Sequence, residues 1–176
     1  MRITRTTLDI GLPAPFTALH LSDTHVALAD ERDDERKRAL AVSRSAYFNQ
    51  PTGDNLALFE QQIDYARAHG LPVLYTGDIL DFVSFKNLEY AKAQLDRVDY
   101  FLCAGNHEYS QYVGEAFEDV AYRMQTYALV QAYFKYNLLC DSRVMGGINF
   151  VAMDDGYYRF DAGQLRRLKL EVSRGL

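Results

Sequence analysis

At 176 residues the chain is long enough for one domain with a sizeable core and short for two. Hydrophobic residues make up 48% and charged residues 24%, the balance of a soluble globular chain, not a disordered or fibrous one. A net charge of −5 argues against a nucleic-acid backbone as the main partner, since phosphate neutralisation asks for a basic face.

The opening MRITRTTLDIGLPAP carries early charges and no apolar core, so it does not read as a secretory signal. No apolar run approaches the roughly 20 residues of a membrane helix. The expected location is therefore cytoplasmic. ITRTTLDI, GLPAP and FTALHLSD predict a strand, a turn and a second strand, an initial hairpin. ADERDDERKRALAVSRSAYF predicts an exposed loop running into a surface helix, with its charges on a solvated face. Leu56, Phe59, Ile63 and Ala66 follow helical spacing, with Asp54 or Asn55 as the cap and Gly70 and Pro72 closing the end.

LPVLYTGD then predicts a buried strand. Leu88, Ala91, Leu95 and Val98 mark another helix, followed by the strand DYFLCAGN. A longer helix is expected from Glu115 to about Tyr133, with Phe117, Val120, Met124 and Ala128 on one face. Gly146 and Gly147 read as a hairpin turn, and GGINFVAMDD as a strand. In the closing DAGQLRRLKLEV, Asp161 and Gln164 resemble a capping box for a last helix. Cys103 and Cys140 lie in apolar runs and read as buried free thiols of a reducing compartment. Strands alternating with helices predict a single α/β layered domain over residues 1–176.

Functional residues of open α/β sheets collect beyond the carboxyl ends of strands, and three polar clusters sit at such ends. Ser22-Asp23-Thr24-His25 follows FTALHL and offers a hard oxygen and a borderline nitrogen, a pair suited to Zn, Mn or Fe. Gly77-Asp78 ends PVLYT, where a glycine permits the tight turn that aims the next carboxylate outward. Asp81 is a competing carboxylate without the strand-end position. Gly105-Asn106-His107-Glu108 ends YFLCA, pairing an amide oxygen that can ligate a metal with a histidine that can donate a proton. D-x-H and G-D are common alone, whereas G-N-H is expected in about one chain per hundred at average composition. The stretches between the clusters leave room for crossover helices.

With these clusters, from LHLSDTH through YTGDILD and CAGNHEY to GGINFVAMDD, the chain resembles the calcineurin-like metallophosphoesterases. The resemblance implies a layered sandwich of mixed β-sheets flanked by helices, with a two-metal centre (Mn, Fe or Zn) between the strand ends. It implies that Asp23 and His25 bind the first metal, that Asp78 bridges both, and that Asn106 binds the second. His107 would stay off the metals and act on the substrate. The implied reaction is hydrolysis of a phosphate mono- or diester, by in-line attack of metal-bound hydroxide.

The family's later ligands, a histidine after a strand and then G-H-x-H, find no counterpart. The histidines are His20, His25, His69 and His107, and the first and third read as structural or surface residues. The resembling domain is therefore expected to be C-terminally incomplete, with a metal-deficient site and impaired turnover. An uncovered sheet edge would favour association with a second copy or another chain. Tyr109 reads as a packing residue and Asp154-Asp155 as loop acidity or the approach to the last helix. The alternative function is a non-catalytic scaffold or partner subunit that keeps the fold. A binding protein for small phosphorylated ligands is disfavoured, because no Gly-rich loop opens a helix.

Overall fold

The computed structural model describes residues 2–49, 53–114, 120–156 and 158–173. Three parallel strands, β1 (Leu19–Leu21), β2 (Val73–Thr76) and β3 (Tyr100–Cys103), form one sheet in the order β1-β2-β3. Two antiparallel strands, β4 (Cys140–Met145) and β5 (Ile148–Met153), form the other. The helices are α1 (Glu35–Phe48), α2 (Asn55–Ala68), α3 (Phe85–Leu95), α4 (Val120–Gln131) and α5 (Ala162–Ser173). A 3₁₀ turn, His107–Tyr109, follows β3. The fold is α/β in layers, as expected. Among the described residues, no helix is long and apolar enough to cross a membrane.

The two-residue period of the strands builds the layers. Leu21, Val73, Tyr75, Tyr100 and Leu102 face one way and join Phe59, Ile63 and Ala66 of α2 with Leu88, Ala91 and Leu95 of α3 in the main core. Leu74, Phe101 and Cys103 face the other way, against Met145, Phe150 and Ala152 of the hairpin. Both covering helices begin on side-chain caps. Asp54 accepts from the N–H groups of Leu56 and Ala57, and Ser84 from that of Asn87. The capping box of α5 forms reciprocally, with Asp161 and Gln164 each accepting the other's backbone N–H at 2.8 Å. Gly146 and Gly147, both at positive φ, turn the β4–β5 hairpin.

Four expectations need correction. No strand forms over residues 3–10, where Ile3, Leu8 and Ile10 are exposed. A strand needs a hydrogen-bonding neighbour, and none is paired with this segment among the described residues. Leu12 is half-buried beside Gly147 of the hairpin turn, and the Phe16 ring meets Phe150 of β5 at 5.9 Å. The longer helix is seen from Val120, and residues 115–119, with Phe117, lie outside the described residues. Its expected apolar face is reversed, because Val120, Met124 and Ala128 are exposed while Arg123, Thr126 and Val130 are buried. Polar partners decide this orientation, since Thr126 donates to the carbonyl of Tyr109 and Arg123 pairs with Asp154. Asp154 is consequently no loop charge but fully buried. Both cysteines are free but only partly buried. Burial still pushes the Cys103 thiol up to about 12.

Candidate metal centre

Past the ends of β1 and β2 the regular ladder gives way to an irregular one. The N–H of Asp23 donates to the carbonyl of Gly77, that of His25 to Asp78, and that of Val26 to Ile79. The N–H of Asp81 returns to Val26. Within this stretch Asp23, His25 and Asp78 take positive φ values of 55, 50 and 58°. Left-handed backbone at non-glycine residues costs of order 1–3 kcal/mol each and concentrates at functional sites. Here it turns three potential ligands toward one crevice. Their donor atoms lie within 4.8 Å of one another. Two carboxylates and an imidazole suit a divalent ion of the Mn, Fe or Zn type, so the residues fit the metal that the motifs imply.

Close backbone packing explains the glycines beside the candidate ligands. A Cβ on Gly77, at φ 90°, would come within 2.5 Å of the backbone nitrogen of Gly105. A Cβ on Gly105 would collide with Oδ1 of Asp78. The two loops therefore touch through main chain, and the carboxylate of Asp78 lies against the second loop. The N–H of His107 donates to that carboxylate at 3.2 Å. Asn106 starts the 3₁₀ turn on the same loop. Its backbone is backed by Gly156, where a Cβ would approach the Asn106 nitrogen to 3.0 Å.

Glu108 clamps these loops together. Its fully buried carboxylate accepts the N–H groups of Asp78, Ile79, Leu80 and Gly105 at 2.7–3.1 Å. Burial, together with the nearby Asp78, pushes its pKa up to about 7, against the pull of those donors. In the sequence Glu108 closes the third cluster with no role of its own. The signal was its place directly after G-N-H, but only the fold shows what it holds.

By sequence Asp81 is only a competing carboxylate, and the structure gives it a larger part. It follows the bridge between Val26 and Leu80, so the irregular ladder carries it to the floor of the site. Its Oδ1 lies 3.2 Å from Nδ1 of His25 and 3.6 Å from Nδ1 of His107. Nδ1 of His107 also lies 2.7 Å from the carbonyl of Asp81. A carbonyl only accepts, so that nitrogen carries the proton and Nε2 is left open. The Nδ1 of His25 is buried and makes no hydrogen bond of standard geometry, facing the Asp81 carboxylate as an ion pair, while Nε2 lies on the Asp23 side, 3.8 Å from Oδ1. This is the pattern in which a carboxylate behind an imidazole orients its other nitrogen toward a metal. Burial works to lower the pKa of His25, but Asp81, then Asp78 and Asp23, outweigh it and raise it. His25, Asp81 and His107 make a second group whose donors lie within 4.8 Å.

Arg44 of α1 belongs by sequence to a solvated face. Its Nε and Nη2 instead donate to the two oxygens of Asp81 at 2.7 and 2.9 Å. Phe48, one turn further, stacks on His25 with ring centroids 4.8 Å apart and planes within 9°. Nothing in the local pattern of α1 signals either contact. His20 and His69 stay outside the centre: one meets the Thr76 hydroxyl and the other the carbonyl of Tyr65, both exposed. Tyr109 is fully buried, as a packing residue should be.

A search of curated proteins found no match to this chain. The family model described as calcineurin-like phosphoesterase matches residues 16–173. That span holds every strand and helix of the described residues and all three strand-end clusters, and the chain belongs to the calcineurin-like phosphoesterase family.

Proposed function

We propose that the chain hydrolyses a phosphate mono- or diester in a metal-dependent reaction. The observation that carries this reading is the convergence of Asp23, His25 and Asp78 within 4.8 Å, in a chain of this family. Asp23, His25 and Asp78 would hold metal, joined by Asn106 for a second ion, with Mn, Fe and Zn all compatible with such donors. Metal bound there supplies charge neutralisation for the phosphoryl group and an acidified water.

The remaining work falls to the chain's own residues. Asp81 keeps His25 turned with Nε2 toward Asp23. It also anchors His107 through Nδ1, so that Nε2 is the atom available to stabilise a phosphoryl oxygen or protonate the departing alkoxide. Glu108 holds the backbone of both ligand loops in register, which keeps Asp78 beside His107. We place the protein in the cytoplasm, with self-association covering an open sheet edge.

The test is hydrolysis of a chromogenic phosphate monoester and diester, with and without Mn²⁺, beside Asp78→Asn. Turnover should need the metal and vanish in the variant. Full metal-dependent turnover in Asp78→Asn would sink the proposal. The sequence has no histidine after His107, and this favours a second reading, a partner subunit that retains the fold without catalysis. A folded chain that binds Mn²⁺ but turns over neither ester would decide for it.

A further inference from the structure

We infer that Arg44 is an internal counter-cation of the candidate metal centre. It holds the Asp81 carboxylate off the ion, so that Asp81 orients His25 and His107 instead of ligating. The inference rests on the metal-dependent reading above and adds a residue that none of the three motifs contains.

Two groups of potential ligands share His25: one with Asp23 and Asp78, the other with Asp81 and His107. Both offer the nitrogen and oxygen donors that a divalent cation accepts, so donor chemistry alone does not choose between them. Arg44 makes the difference. Its bidentate fork engages both oxygens of Asp81, including the one that faces the two histidines. A guanidinium stays protonated in proteins. The second group thus already contains a positive charge, and an ion entering it would meet repulsion and a carboxylate with both oxygens engaged. In the first group the Asp23 carboxylate faces His25 itself and is 66% exposed, so a cation can reach it from solvent.

The placement of α1 makes this arrangement durable. Ala41, Arg44 and Phe48 lie along one face of the helix. Ala41 is buried with Ala27 and Phe82, Arg44 reaches Asp81, and Phe48 covers His25. The guanidinium also lies 4.8 Å from the centre of the Phe48 ring, which restrains it from the helix side.

Co²⁺ is the probe, because its visible bands report the number and type of ligands. It is titrated into the wild-type chain, Arg44→Met, Arg44→Lys, and Arg44→Met combined with Asp81→Asn. Arg44→Met should bind Co²⁺ about tenfold more tightly, with altered bands as Asp81 joins the ion as a further oxygen donor. The added Asp81→Asn change should abolish that gain. Arg44→Lys keeps a charge but not the fork and should shift affinity about threefold the same way. Thermal unfolding checks each fold, and where Arg44→Met does not fold, Arg44→Lys decides by the same criterion. Equal or weaker binding with unchanged bands overturns the role of Arg44 alone. Binding by none of the chains overturns the metal centre itself, and Arg44 with it.

Discussion

Arg44–Asp81 and Arg123–Asp154 are pairs of the same two residue types, and both bury the aspartate completely. Burial acts to raise the pKa of each carboxylate. At Asp81 it is overcome by His25 and the two nitrogens of Arg44, and the pKa falls below the ordinary aspartate range. At Asp154 burial prevails over the Gly156 N–H and Arg123, and the pKa rises. Depth is matched, so the donors converging on the carboxylate decide the sign. The setting follows the chemistry. Asp81 lies where two histidines need an anion behind them, whereas Asp154 fastens the end of β5 to α4, behind the loop of Asn106.

The largest effect should come from breaking the deeper pair. The Arg123 side chain is 8% exposed, and Arg123→Met should cost about 3–5 kcal/mol in chemical denaturation while Co²⁺ affinity stays unchanged. A change in Co²⁺ binding would erase the functional distinction between the pairs. Glu108→Gln comes next, because an amide cannot accept the four N–H groups that the carboxylate accepts. It should cost about 2–3 kcal/mol and weaken Co²⁺ binding as well, since the loops it clamps carry Asp78. Arg44→Met should cost less, about 1–2 kcal/mol, because its side chain is 24% exposed and water can replace part of the lost contact.

The smallest effect belongs to an exposed pair that serves as a baseline. Arg143 of β4 meets Asp99 at 2.7 Å through both guanidinium arms, and Asp99 is half exposed. Asp99→Asn should cost about 0.2–1 kcal/mol. Arg143 holds the Asp99 carboxyl below its usual range. That stability is present above pH about 4 and is lost as pH falls through the lowered folded value. Asp154 has the opposite sign, since its folded pKa is raised. Its contribution is present at low pH and is lost as pH rises through that value, so the cost of Arg123→Met should be smaller at pH 4 than at pH 7. Denaturation curves at pH 4 and 7 read the sign at Asp154, and a further curve about two pH units below 4 reads the sign at Asp99.

Much of the architecture was legible where residue period and burial coincide. Phe59, Ile63 and Ala66, and Leu88, Ala91 and Leu95, are spaced for one helical face and are all fully buried. The period failed in α4, where Arg123 and Thr126 found polar partners contributed by other segments and displaced Val120 and Met124 from the interior. It failed also for residues 3–10, whose alternation suits a strand but has no paired neighbour among the described residues. β4 is implied in the sequence only by the hairpin turn at Gly146 and Gly147, because CDSRVM interrupts its apolar pattern with polar residues that one face of a hairpin leaves to solvent.

The three strand-end clusters were determined by the sequence itself, because each joins a residue able to bind or transfer with the local backbone that aims it. The glycines of G-D and G-N-H are part of that local code, and the structure accounts for them by main-chain contact between the two loops. The company these residues keep was decided by tertiary structure alone. Arg44 and Asp81 are 37 residues apart, and Glu108 reaches back about as far to the loop of Asp78. An ion pair or a buried carboxylate depends on distance in space and on lost water, and neither quantity is written in local residue order.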